Sequence, residues 1–134
     1  MARYLISFDD GAMDFIPKED GPAVAEAAHA VIRDAQDAGV WVFAGGVYPH
    51  DEVSVRVVAP DGTVTDGAES KAYIAGVTIV DVPSVEEALQ WAAKIAAACR
   101  CAQEVREFGR DPAVGNCQPE GVSPRVVTSR EWRE

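Results

Sequence analysis

The apolar positions along the chain change period several times, and each change marks an element. Residues 3–8, Arg-Tyr-Leu-Ile-Ser-Phe, alternate loosely and are rich in strand formers. Asp9-Asp10-Gly11 closes them with turn residues, which predicts a first strand. Residues 11–21 hold Gly, Pro, Asp and Lys and read as a loop. From Pro22 the period lengthens. Val24, Ala27, Ala28, Val31, Ile32 and Ala35 recur at the three- and four-residue spacing of one helix stripe. Asp20 or Gly21 suits the cap of this helix, Pro22 its first turn and Gly39 its stop. Residues 40–44 are aromatic and β-branched, a buried strand closed by Gly45-Gly46.

Residues 47–52 read as a loop carrying Tyr48, Pro49 and His50. Val53, Val55 and Val57 then alternate with Ser54 and Arg56, the pattern of a half-exposed strand. Pro60-Asp61-Gly62 is a hairpin turn signal, residues 63–65 the short returning strand, and Asp66-Gly67 its break. Residues 73–82 form the most continuous apolar run, which predicts a central strand buried on both faces. Ser84-x-x-Glu87 is a capping box. Behind it Val85, Ala88, Leu89, Ala92, Ile95 and Ala96 make a second helix stripe, with Trp91 on its flank. Residues 102–108 read as a last strand. Beyond them Gly, Pro, Asn, Ser and Arg follow with little periodicity. The chain thus divides into a domain over 1–108 and a C-terminal extension over 109–134. That extension is either loose or wrapped on a partner subunit, with Val126, Val127 and Trp132 as its only anchors.

The order is strand, helix, strand, hairpin, strand, helix, strand. It predicts an α+β protein of the ferredoxin-like βαββαβ arrangement with an extra hairpin, two helices lying on one face of a mostly antiparallel sheet. Such a sheet leaves its other face open. Val40, Val42 or Phe43, and alternate residues of 73–82, would then point at a partner. A second copy of the sheet is the simplest cover, so a twofold homodimer is expected.

Composition narrows the function classes. The 134 residues carry 22 acids against 12 bases, a formal net charge of −10. That balance argues against a nucleic-acid surface and against docking on anionic lipid. No apolar run reaches the roughly 18 residues of a membrane span, and the first residues lack the pattern of a signal peptide, so a cytoplasmic location is expected. Cys99, Cys101 and Cys117 form no CxxC and stand beside no paired histidine. Neither a disulfide framework nor a zinc site is indicated. No phosphate loop, nucleotide fingerprint or nucleophile elbow is present, and no cofactor or metal is expected.

A set of local sequences carries a family resemblance. Val64-Thr65-Asp66-Gly67, Ala68-Glu69-Ser70-Lys71, Ala75-Gly76, Ile79-Val80-Asp81-Val82 and the run from Glu87-Ala88-Leu89-Gln90-Trp91 through Ala92-Ala93-Lys94-Ile95 hold both order and spacing. On them, residues 3–108 resemble the YCII-related superfamily, most closely its DGPF branch. In the namesake motif Pro-Phe follows Asp-Gly. Here Gly67 runs straight into Ala68-Glu69. The resemblance implies a dimeric α+β barrel with sheets packed face to face, of bacterial and cytoplasmic origin. It also implies a link with extracytoplasmic-function sigma factors. Some members of the wider superfamily are enzymes with a His–Asp pair in a cleft beside the sheet.

Two clusters of side chains are candidates for chemistry. His29 falls on the first helix at the position where the resemblance implies a histidine, and a histidine can move protons near neutral pH. Asp9 and Asp10 end the first strand, where a carboxylate can orient such a ring as a dyad. The same residues also suit an exposed helix histidine and an Asp-Asp-Gly turn. The second cluster is a loop rim of Asp66, Ser70 and Lys71, joined as binding candidates by His50 and Tyr48 in the 47–52 loop. It also reads as a tight turn. Three functions follow. One is a dimeric domain binding a small metabolite or a protein partner. Another is a lyase- or hydrolase-like enzyme abstracting a proton from a small, aromatic-type substrate through His29 with Asp9 or Asp10. The third is an accessory to sigma-factor regulation, which rests on the resemblance alone.

Overall fold

A computed structural model describes residues 1–67 and 73–114. Strand β1 spans Ala2–Asp9, helix α1 Gly21–Asp37, β2 Trp41–Gly46, β3 Arg56–Val58, β4 Val64–Asp66, β5 Ile74–Val82, helix α2 Val85–Cys99 and β6 Glu104–Glu107. Four strands make one sheet in the order β2-β5-β1-β6, while β3 and β4 pair separately as a two-stranded ribbon. Every pairing is antiparallel. The protein is therefore α+β, with two helices and an antiparallel sheet compatible with a ferredoxin-like fold.

Alternation along β1 builds the core. Ala2, Tyr4 and Ile6 are buried and lie opposite Val82, Val80 and Thr78 of β5. Ala88, Ala92, Ile95 and Cys99 of α2 close over them, and Ala28 and Val31 of α1 pack against the same cluster. Both helices thus cover one face. Ile6, Val80 and Val82 are the largest fully buried side chains, each contributing about 1.5–3 kcal/mol by leaving water. Leu5, Val77, Ile79 and Phe43 lie on the opposite face, with Ile79 paired to both Leu5 and Phe43.

Several sequence expectations need correction. β5 is central, but only its helix-facing side is sealed: Val80 and Val82 are buried while Val77, Ile79 and Asp81 are half-buried. The strand expected from Val53 is confined to Arg56–Val58, because the amides of Glu52 and Val53 both donate to the Pro49 carbonyl and form a turn there. The buried arc of α2 is rotated from the one its periodicity suggests. Ala88, Ala92, Ile95, Ala98 and Cys99 are buried, whereas Leu89 and Val85 are exposed. The buried arc therefore runs through Ala98 and Cys99 and away from Val85 and Leu89. The last strand is shorter than residues 102–108, covering Glu104–Glu107.

The caps follow their chemistry in part. Ser84 Oγ accepts the Glu87 amide at 3.3 Å, the first half of the capping box; no return bond from the Glu87 carboxylate occurs among the described residues. At α1 the Asp20 carboxylate does not cap the helix. It pairs instead with Arg100 at 2.8 Å, linking the start of α1 to the end of α2. No described helix is long and apolar enough to cross a membrane. The extension beyond residue 114, with Val126, Val127 and Trp132, lies outside the described residues.

Candidate functional site

Three strand ends meet at one end of the sheet. The register Phe8↔Gly76 and Gly46↔Gly76 brings the exits of β1 and β2 beside the entry of β5. Two further bonds extend the pairing: the Asp10 amide donates to the Tyr73 carbonyl at 2.7 Å and the Val47 amide to the Ala75 carbonyl at 2.7 Å. These bonds place the turn after β1 against the loop after β2.

Asp10 and His50, 40 residues apart in sequence, meet there. Asp10 Oδ2 accepts the His50 backbone amide at 2.9 Å and contacts the ring Nδ1 at 2.6 Å. The His50 ring stacks on Tyr73, centroids 4.1 Å apart and planes within 9°. Tyr73 in turn donates its hydroxyl to the Gly67 carbonyl at 2.9 Å. Gly67 is required at that position, because an added Cβ would stand 2.8 Å from Val55 Cβ and 2.9 Å from its carbonyl oxygen. The ring of His50 is therefore held on one edge by a carboxylate and on one face by an aromatic.

The electrostatics fix the proton. The His50 amide, then the His50 ring, hold the Asp10 carboxyl below its ordinary range. An ionised carboxylate only accepts, so Nδ1 carries the hydrogen and donates. In the neutral form of the ring Nε2 is then bare. The Asp10 side chain is 16% exposed and that of His50 46%, so the ring reaches solvent while its anchor is mostly covered. This is the arrangement by which a carboxylate sets the tautomer and orientation of a proton-transferring histidine.

A cavity of about 570 Å³ opens at the same end of the sheet, under α1. Val24, Ala28 and Ile32 of α1, Phe8 of β1, Ala44 of β2 and Ile95 of α2 supply apolar wall. Gly76 makes the floor possible: an added Cβ would lie 2.5 Å from the Phe8 ring, which rests on the bare strand. Cys99 also lines the cavity. Burial, and then the neighbouring Cys101, push its thiol up, so it stays protonated and serves as apolar surface. Lys18, His29 and Gln103 are the larger polar side chains on the lining. Phe8 stands two residues before Asp10, Gly46 leads into the loop of His50, and Gly76 follows Tyr73 closely in sequence.

The structure redistributes the expected site residues. His29 is exposed on the cavity lining, and no aspartate bonds it among the described residues. The Arg33–Glu26 pair at 3.1 Å spans its position on the helix. The expected dyad of His29 with Asp9 or Asp10 is not formed. Asp9 is exposed in the strand end opposite Ile74, and Asp10, tied through its own amide to Tyr73, turns its carboxylate to the loop of His50. Tyr48 is 74% exposed and Asp66 ends β4 in solvent. Ser70 and Lys71 lie outside the described residues. Sequence alone does not single out Tyr73, which as the first residue of an apolar run reads as strand. Its partner in the structure is set by the meeting of three strand ends, which periodicity does not report.

Fold and site together define a small α+β domain with an apolar cavity and a histidine–aspartate pair at one end of its sheet. No family model matches the chain, and no curated protein matches it.

Proposed function

We propose that this chain is a small-molecule-binding domain of the YCII-related, DGPF type, with its ligand seated at the end of the sheet described above. The cavity is the observation that carries this reading. Its volume of about 570 Å³ falls within the range of roughly 300–1,000 Å³ common for small-molecule sites, which combine apolar walls with a few polar groups. A thermal-shift screen of small organic metabolites tests it, since a ligand bound only by the native state raises the apparent stability. Hits should stabilise the wild-type chain and lose their effect in Ala25→Trp, a substitution at an exposed helix position on the cavity lining. A screen without hits, or hits insensitive to Ala25→Trp, would contradict the reading.

The Asp10–His50 pair lies outside the residues lining the cavity and favours a second reading, a lyase- or hydrolase-like enzyme that abstracts a proton from a molecule bound beside the pair. In this version His50, not His29, is the base, and Asp10 orients it. NMR in deuterated water tests the reading on any hit with an acidic C–H. Exchange of that hydrogen should be accelerated by the wild-type protein and not by His50→Ala.

The dimer belongs to the same proposal. Phe43 is 53% exposed on the open sheet face, and Val58 and Val64 of the β3–β4 ribbon are 64% and 56% exposed. An isolated two-stranded ribbon is marginal in water, and a second copy of the chain would cover both features. A role beside a sigma factor rests on the resemblance of residues 64–95 alone.

A further inference from the structure

Resting on the binding reading above, we infer that the cavity selects an apolar monocarboxylic acid, with its tail under α1 and its carboxylate at Lys18 and His29. The argument is one of charge. The chain has 22 acids and 12 bases, yet no Asp or Glu is among the residues lining the cavity, and the ionisable side chains there are Lys18, His29 and the protonated Cys99. Both acids next to Lys18 in the chain are accounted for: Asp20 is turned to Arg100 at 2.8 Å, and Glu19 is exposed and off the lining.

The two polar groups are also unspent. Neither Lys18 nor His29 makes an ion pair or side-chain hydrogen bond among the described residues. Gln103 differs, since its amide donates to the Cys101 carbonyl at 3.3 Å. A cationic ligand would find no counter-charge on this wall and would meet Lys18. A wholly apolar ligand would leave both groups without use. An acid with a hydrocarbon or aromatic tail matches the wall and the cation together, and His29 can donate to it in either protonation state. Because the whole chain is strongly negative, attraction of an anion must be local, and in water it is modest.

Calorimetric titration with decanoate, decanol and decylamine at neutral pH separates the possibilities, since the three share a tail and differ in head. Decanoate should bind saturably at one per chain and about fivefold tighter than decanol, the scale of a partly exposed ion pair. Decylamine should be weakest. Lys18→Gln should bring decanoate down to the affinity of decanol and leave decanol unchanged. Equal binding of decanoate and decanol, or indifference to Lys18→Gln, would overturn the acid and leave the cavity as a site. Absence of saturable binding by any of the three, or binding unaffected by Ala25→Trp, would overturn the cavity as well. Amide shift changes on decanoate addition locate the site without any variant. They should fall on residues 16–18, 24–32 and 44–46, and shifts confined elsewhere would overturn both.

Discussion

Asp10 shows how much a single side chain organises here. Its carboxylate accepts from both the backbone and the ring of His50, and those bonds are strongest while it is ionised. Its folded value lies below its unfolded one, so its contribution to stability is complete above the ordinary carboxylate range. The contribution fades as the pH falls through the folded value. Asp10→Ala should therefore destabilise the protein in urea melts near neutral pH, with the deficit shrinking as the solution is acidified. A deficit that stays constant with pH would show that the carboxylate charge is not involved. ¹⁵N NMR of the imidazole should find the hydrogen of neutral His50 on Nδ1 in the wild type, with that preference lost in Asp10→Ala. Asp10 and His50 were each legible in the sequence as candidates. Their pairing was not, because it depends on which strand ends the register brings together.

At the scale of elements, period and punctuation in the sequence read well and side-chain destinations less so. The stripe from Val24 to Ala35 did give α1, and Ser84 did cap α2. Leu89 and Val85 fit the α2 stripe by spacing yet stand exposed, since period sets the width of an apolar arc and tertiary packing selects which arc is buried. Close approaches are likewise invisible in a one-dimensional pattern. Gly76 reads as a weak point in a strand and is in fact the seat of the Phe8 ring. Gly76→Ala should cost about 1–3 kcal/mol by overpacking, and Phe8→Leu in the same chain should recover part of that loss in urea melts. Arg100 caps α2 at φ 58°, the left-handed region, without being glycine. Arg100→Gly and Arg100→Ala both remove the Asp20 pair, so the difference between them isolates the backbone. The glycine variant should be more stable by about 1 kcal/mol.

For the whole molecule, the strand and helix order was enough to reach an antiparallel α+β architecture, and the open sheet face followed from it. What covers that face is not written in the period of any one strand. If a second copy covers it, light scattering should report the mass of two chains, and Phe43→Asp should yield one chain that stays folded by circular dichroism. A wild-type chain that scatters as a monomer at micromolar concentration would contradict the dimer. The site is a property of the same architecture, because β1, β2 and β5 place the cavity and the Asp10–His50 pair at one end of the sheet. Amide chemical-shift mapping with the strongest hit of the thermal-shift screen tests this claim most directly. Shifts should converge on residues 24–32 of α1, 44–46 at the end of β2, and 76–78 in β5. Shifts scattered over the surface, or confined to the β3–β4 ribbon, would contradict it.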